Sequence, residues 1–330
     1  MVLDSLPVRL QRLRKTAAIR QMLQETRLNI NDFIVPLFIK ESLQTKQSIV
    51  SLPGYFQLSL NEIAAEIDAL SALGVRALIL FGIPAHKDLT GSASLSVDGI
   101  IQQAIRIIKQ INPDLVIIAD VCLCEYTSHG HCGIIKNSTI IDNDQTLHVL
   151  AQQAVSYAQA GADWIAPSSM TDGMVAAIRK SLDKFGHSDV AILSYAVKYS
   201  SSLYGPFREA AQGPPTFGDR QSYQMDPANG NEAMREARLD IDEGTDLLMV
   251  KPAMFYLDII YRIKTKYPEI PLCAYQVSGE YAMIKNLAQQ SWANPIDIML
   301  ESLLAIKRAG ANLIISYFAK EFANLDRSYI

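Results

Sequence analysis

Three of the four cysteines in the chain fall within eleven residues, in the run VCLCEYTSHGHC that ends at Cys132. Cys122 and Cys124 are two apart, so in an extended segment their side chains project to the same side. Residues 126–130 can fold back and bring Cys132 to them. Three thiolates suit a soft or borderline metal, of which zinc is the usual one, and three protein ligands leave a fourth position open, as in catalytic zinc sites. A disulfide or a set of buried core thiols is the bland alternative. His129 and His131 are further possible ligands, although a loop histidine more often bonds its own neighbours.

A second constellation is a pair of lysines. Lys198 directly follows the apolar run 191–197, and Lys251 directly follows 247–250. One such lysine commonly snorkels to solvent. Two on adjacent strands repel each other, and burial also disfavours charge, so both effects lower the pKa. A lysine so depressed can attack a carbonyl and form a Schiff base. The chemistry that suggests itself is amine catalysis on a ketone or aldehyde, with a metal alongside. Between Tyr199 and Asn231 lies a long connection rich in Gly and Pro that carries Arg208 and Arg220. A connection this long in a compact domain is often an active-site lid. Its guanidinium forks suit the carboxylate of an acidic substrate, the alternative being solvated loop arginines.

The elements that would carry these residues alternate regularly. Apolar runs at 33–39, 77–81, 115–121, 164–166, 190–197, 247–250, 272–277 and 313–318 read as buried strands. Helical periodicity follows at 63–73, 100–111, 146–160, 175–185, 232–243, 257–266, 281–289 and 295–309, with Gly after several of these stretches as a stop signal. Eight strands separated by helices predict a (β/α)8 TIM barrel. A doubly wound sheet is the alternative, but it more often carries a Gly-rich phosphate turn, and the chain has no G-x-G-x-x-G and no Walker A sequence. In a barrel, catalysis occurs at the C-terminal ends of the strands. Asp120, Ser168, Ser169, Lys198, Lys251, Ser278 and Tyr317 all fall there. Residues 1–30 are basic, have one amphipathic stretch and precede the first strand. They predict an extended N-terminal arm that packs on a neighbouring subunit, with the barrel domain spanning 31–330; a frayed terminus is the alternative.

The net charge of −4 comes with acids and bases mixed along the chain, which gives no basic stripe for nucleic acid. No apolar run reaches the length of a membrane span. The N-terminus lacks a signal-peptide core, and four cysteines with three clustered suit a reducing cytosol, where such a cluster more plausibly binds metal than forms disulfides.

Several runs, taken in order, carry a resemblance: DVCLCEYTSHGHCG, KYSSSLYGPFREAA, GDRQSYQMDPAN, LMVKPA, YQVSGEYAMI and SYFA. Together they resemble the porphobilinogen synthase (5-aminolevulinate dehydratase) family, in its zinc-dependent branch, from about Arg12 to Ala319. The resemblance implies a (β/α)8 barrel with an N-terminal arm, assembled as a homo-octamer. It also implies condensation of two 5-aminolevulinate molecules to the pyrrole porphobilinogen with loss of two waters, in tetrapyrrole synthesis. By the same resemblance Lys251 forms the Schiff base with one substrate, and Lys198 is the second active-site lysine. Cys122, Cys124 and Cys132 are zinc ligands. Ser278 and Tyr317 match residues that bind one substrate carboxylate, while Arg208, Arg220 and Gln224 match residues at the other. Asp120 and Ser168 match active-site polar positions, Tyr204 a lid residue, and Glu236 an allosteric magnesium position. Ser169 and Met174 depart from the family pattern, where Asp and a polar residue are common. A class I aldolase would share the barrel and the lysine but needs no metal. A non-catalytic protein with a structural zinc would share the cysteines but capture no ketone.

Overall fold

A computed structural model describes residues 7–137 and 140–325. Eight parallel strands run in chain order: β1 (Phe33–Lys40), β2 (Ala77–Ile83), β3 (Val116–Val121), β4 (Trp164–Pro167), β5 (Ala191–Lys198), β6 (Leu247–Lys251), β7 (Leu272–Gln276) and β8 (Leu313–Ser316). Each pairs with its sequence neighbour, and β8 returns to β1 through Phe33↔Ile314 and Ile34↔Ile315, which closes the barrel. The (β/α)8 architecture is therefore the one the apolar runs predict. Helices follow the strands: α1 (Ile63–Ala72), α2 (Ile100–Ile111), α3 (Asn143–Ala160), α4 (Met174–Lys184), α5 (Glu232–Asp242), α6 (Leu257–Lys266), then α7 (Ser278–Gln289) and α8 (Pro295–Ala309).

The strands are apolar throughout because both of their faces are covered, one by the barrel interior and one by helices. Ile117, Ile118 and Ala119 of β3 and Leu193 and Val197 of β5 are fully buried. Truncating a residue such as Ile118 to Ala would cost about 2–5 kcal/mol, since the closed barrel cannot collapse into the cavity.

At the N-terminal ends of the strands, polar groups serve the fold. The residue before each of three even strands accepts, through its side chain, one backbone N–H at the start of the preceding odd strand. Asp163 takes Ile117 N at 2.7 Å, Asp246 takes Ile192 N at 2.7 Å, and Asn312 takes Leu272 N at 3.0 Å. These bonds pin the register where strands enter the barrel and leave the opposite rim for chemistry.

Some boundaries differ from the sequence reading. Helix α3 begins three residues earlier than expected, because the Asp142 carboxylate caps it by accepting Gln145 N at 3.1 Å. Helix α7 likewise starts at Ser278 rather than 281, so Ser278 stands in its first turn. The long connection 199–231 holds a short helix, Gly205–Ala210, that carries Arg208. Residues 7–30 form a 3-10 turn at Leu10–Arg14 and a helix at Ala17–Met22, neither of which buries a residue. The first six residues of the expected arm and the last five of the barrel segment lie outside the described residues.

Candidate active site

Lys198 and Lys251 are the last residues of β5 and β6 and stand directly opposite one another in the ladder. The register slips between Leu248 and Val250, where β5 carries one extra residue. Side chains alternate along a regular strand, so Tyr195 and Lys198, three apart, should face opposite ways. The bulge undoes that alternation. As a result the Tyr195 ring lies 4.9 Å from Lys251 Nζ and 5.6 Å from Lys198 Nζ.

Lys251 is buried and ringed by aromatic side chains. Its Nζ is 4.3 Å from the Tyr275 ring centre, 5.0 Å from Phe207 and 5.3 Å from Tyr204. Burial, followed by the charge of Lys198, lowers its pKa to about 7. Lys198 Nζ donates to the Ser168 carbonyl at 2.5 Å, and the Ser168 hydroxyl donates to Asp120 Oδ2 at 3.0 Å. Burial raises the Asp120 carboxyl to about 7, helped by Glu125 and opposed by the two lysines. Asp120 Oδ1 and the Tyr195 hydroxyl are buried without partners.

The three cysteines converge as their spacing predicts, though by a different local route. β3 ends at Val121, and a turn closed by Tyr126 N and Thr127 N on the Leu123 carbonyl brings the sulfurs round. Cys122 Sγ and Cys124 Sγ are 3.4 Å apart, and the sulfurs of Cys122, Cys124 and Cys132 all lie within 4.8 Å of one another. All three are buried free thiols. Hydrogen bonds from Cys122 and Cys124 pull the Cys132 thiol well below its usual range, against the effect of burial; Arg220 and Lys198 add to the pull. A soft donor set with a thiol already biased toward thiolate fits a thiophilic metal. The histidines are engaged elsewhere: His131 meets the Tyr223 hydroxyl at 3.2 Å and the Phe217 carbonyl at 3.0 Å, and His129 meets the Leu89 carbonyl at 3.2 Å.

The lid lies over this centre. Arg220 is buried and donates from Nη2 to the carbonyls of Gly130 (2.8 Å) and Gly213 (2.7 Å). The approach is close: a Cβ on Gly130, whose φ is +70°, would sit 2.2 Å from the Pro214 carbonyl oxygen. Arg208 Nε, Arg220 Nε and both polar atoms of the Gln224 side chain are buried without partners. Burying three unpaired donors and an unpaired acceptor is costly unless a ligand completes them. Burial and the Arg220 charge lower the Arg208 pKa. On the Lys251 side, Ser278 Oγ accepts the Phe207 N–H at 2.9 Å, and the Tyr317 and Tyr275 hydroxyls are 3.3 Å apart. Tyr204 donates to the Tyr199 carbonyl at 2.7 Å and fastens the start of the lid.

Comparison with known proteins shows the family. The delta-aminolevulinic acid dehydratase family profile matches residues 7–325. This chain belongs to the delta-aminolevulinic acid dehydratase family. The Halalkalibacterium halodurans dehydratase is 55% identical over 313 residues, 95% of each chain, and the Bacillus subtilis dehydratase is 51% identical over 95% of this chain and 96% of its own. The crystal structure of the Toxoplasma gondii ME49 dehydratase (porphobilinogen synthase), in complex with the reaction product porphobilinogen, superposes with a TM-score of 0.94. It is 42% identical and covers 96% of this chain and 91% of its own. The activity of the dehydratase family, porphobilinogen synthesis, is the activity of this chain.

In the candidate site the structure brings together Asp120, Ser168, Lys198, Lys251, the three cysteines, Arg208, Arg220, Tyr204, Ser278 and Tyr317. Glu236 stands apart, half-buried on α5 with Asp172 and Glu232 as its charged neighbours. Ser169 bonds Thr171 at 2.7 Å and touches the Met174 sulfur at 3.7 Å, so the two departures from the family pattern pack against each other. The sequence reading did not single out Tyr195, Tyr275, Phe207 or Glu125. Glu125 is buried with its carboxylate 3.2 Å from Cys124 Sγ, and an acid next to a candidate ligand was the available signal.

Proposed function

We propose that porphobilinogen synthesis in this chain runs through two lysine Schiff bases beside a zinc held by Cys122, Cys124 and Cys132. The reading is carried by the pairing of Lys251 and Lys198 in one buried, aromatic-walled site. Lys251, neutral near pH 7, attacks the ketone of one 5-aminolevulinate, and the ketone oxygen leaves as water. Lys198 captures the ketone of the other, whose oxygen leaves as the second water. Each protonated imine draws electrons from the adjacent carbon. The carbon beside one imine loses a proton and attacks the other imine carbon; the amino nitrogen of the attacked substrate then displaces the lysine of the attacking substrate, and the other lysine is expelled with a ring proton as the pyrrole forms. Both lysines are released unchanged. Asp120, poised near neutrality and bonded through Ser168 to the Lys198 side, holds or moves the protons that these steps exchange. Bound zinc would polarise an oxygen or nitrogen of the substrate as a Lewis acid.

The substrates carry carboxylates, and the site offers a place for each. Ser278 and Tyr317 flank Lys251, while Arg208, Arg220 and Gln224 present unpaired donors under the lid. Glu236 is kept as the regulatory magnesium position that the family resemblance implies; among the described residues its carboxylate does not converge with those of Asp172 and Glu232 into a three-ligand set within the single chain. The exposed apolar residues of the arm, Val8, Leu10, Leu13, Met22 and Leu23, support packing on a second copy, and the family resemblance makes the assembly a homo-octamer. Buried free thiols suit a reducing compartment, the cytosol.

The test is a colorimetric pyrrole assay on purified protein with 5-aminolevulinate, run untreated, after a strong chelator, and after zinc is restored. Pyrrole should vanish with the chelator and return with zinc. Restoration by magnesium but not zinc would remove zinc from the reading. The class I aldolase alternative needs no metal and has no use for the three thiols, so activity that depends on added zinc separates the two.

A further inference from the structure

Glu280 is fully buried in the first turn of α7. Both of its carboxylate oxygens are engaged. Oε2 accepts the backbone N–H of Val277 at 2.7 Å, immediately before Ser278. Oε1 accepts the backbone N–H of Met254 at 2.6 Å, three residues after Lys251. A glutamate in the first turn commonly caps its own helix with one oxygen and leaves the other to water. Here the second oxygen crosses to the loop that leaves a different strand. That loop passes from β6 into a single 3-10 turn at Met254–Tyr256, so its early N–H groups need partners from elsewhere.

A neighbouring buried residue works in parallel. Gln276, the last residue of β7, donates to Ser302 Oγ at 3.0 Å and accepts from Ser316 Oγ at 2.6 Å. Ser316 Oγ in turn accepts the Phe318 N–H at 2.9 Å, which brackets Tyr317. Lys251, Ser278 and Tyr317 thus all sit on backbone fastened by Glu280 or Gln276.

We propose that Glu280 is a positioning residue: by clamping the Met254 and Val277 amides together, it fixes the Lys251 amine relative to the Ser278–Tyr317 end that receives the substrate carboxylate. This rests on the Schiff-base reading above. The substrate joins its ketone and carboxylate through only two methylenes, so a site that grips both ends has little slack, and a small shift of one against the other lowers productive capture. A carboxylate suits the task because it accepts at both oxygens. Burial raises the Glu280 pKa to about 7, while the backbone N–H donors oppose that rise.

The experiment compares the full-length wild type with Glu280→Gln, which keeps the shape but turns an NH2 toward one of the clamped N–H groups. Each protein is incubated with cyanoborohydride and either levulinate or 2-pentanone, which has the same ketone and chain length without the carboxylate. Adducts on the Lys251 peptide are followed by mass spectrometry. In Glu280→Gln the preference for levulinate over 2-pentanone should fall roughly tenfold, the scale of one lost charged hydrogen bond, and KM for 5-aminolevulinate should rise by a similar factor. Trapping of 2-pentanone should barely change. Equal losses with both ketones, or an unchanged preference with only a lower melting temperature, would overturn the proposal. A wild type that traps neither ketone on Lys251 would instead overturn the Schiff-base reading. Should Glu280→Gln not fold, amide exchange in the wild type decides: the Met254 and Val277 amides must be among the slowest in the enzyme, and rapid exchange at either overturns the clamp.

Discussion

A protonated lysine cannot attack a ketone, so the proposed Schiff-base route first requires Lys251 to lose its proton near neutral pH. The site meets that demand with burial among four aromatic rings and with the charge of Lys198 on the next strand. The sign of the effect is fixed: both influences disfavour the ammonium, so the neutral amine forms near pH 7 instead of near the free-lysine value of about 10.4. Reductive trapping of levulinate on Lys251 should therefore climb between pH 6 and 8, with a midpoint near the value of about 7 set by burial. Lys251→Ala should show no trapping at this position and no pyrrole formation, with an unchanged circular dichroism spectrum. A trapping rate that keeps rising to pH 10 would show that Lys251 titrates as an ordinary lysine, and pyrrole production by Lys251→Ala would remove it from the chemistry.

The next demand falls on elements, because the groups that serve one ketone come from different strands and from the lid. The lid start and α7 meet at backbone contact: a Cβ on Gly279 would lie 2.5 Å from the Leu203 carbonyl oxygen and 2.7 Å from its Cα. Alanine favours a helix over glycine by about 1 kcal/mol, so Gly279→Ala should leave α7 intact. The clash is with backbone, which cannot swing aside as a side chain can, so residues 201–204 must move and take the Tyr204 ring with them. We expect kcat/KM to fall about tenfold or more, as for other small displacements of a positioned group, and protease to cut within 199–231 faster, with little change in melting temperature. Wild-type kinetics would mean the lid tolerates the shift. Much of this level was legible in the sequence. Apolar runs give all eight strands, and the cysteine and lysine positions follow from their spacing at strand ends. What stayed hidden depends on contacts distant in the chain. The bulge that turns Tyr195 inward arises from pairing with β6, and the second oxygen of Glu280 finds its partner 26 residues away. Local periodicity reads neither. The start of α3 was missed for a simpler reason, since Asp142 was not read as its cap.

At the scale of the whole molecule the barrel and the arm obey different physics. The barrel closes on itself, ties its strand entrances with Asp163, Asp246 and Asn312, and buries a continuous core. Residues 7–30 bury almost nothing of their own: Val8 is 73% exposed, Leu10 65%, and Met22 79%. Six residues of helix are too few to be stable alone, so a segment like Ala17–Met22 gains its order from what it packs against. Exposed apolar side chains along a basic segment outside the closed barrel are what a subunit contact would use. If the arm is such a contact, removing residues 1–30 should leave the barrel folded and lower the sedimentation coefficient to that of a smaller assembly. Activity then reports whether the assembly supports the lid: the lysines and thiols sit wholly within one chain, so the truncated protein should still trap levulinate on Lys251 even if pyrrole formation slows. An unchanged sedimentation coefficient would show that the arm does not hold subunits together. A truncated protein unable to trap levulinate would show that the geometry around Lys251 depends on the arm of a neighbouring subunit.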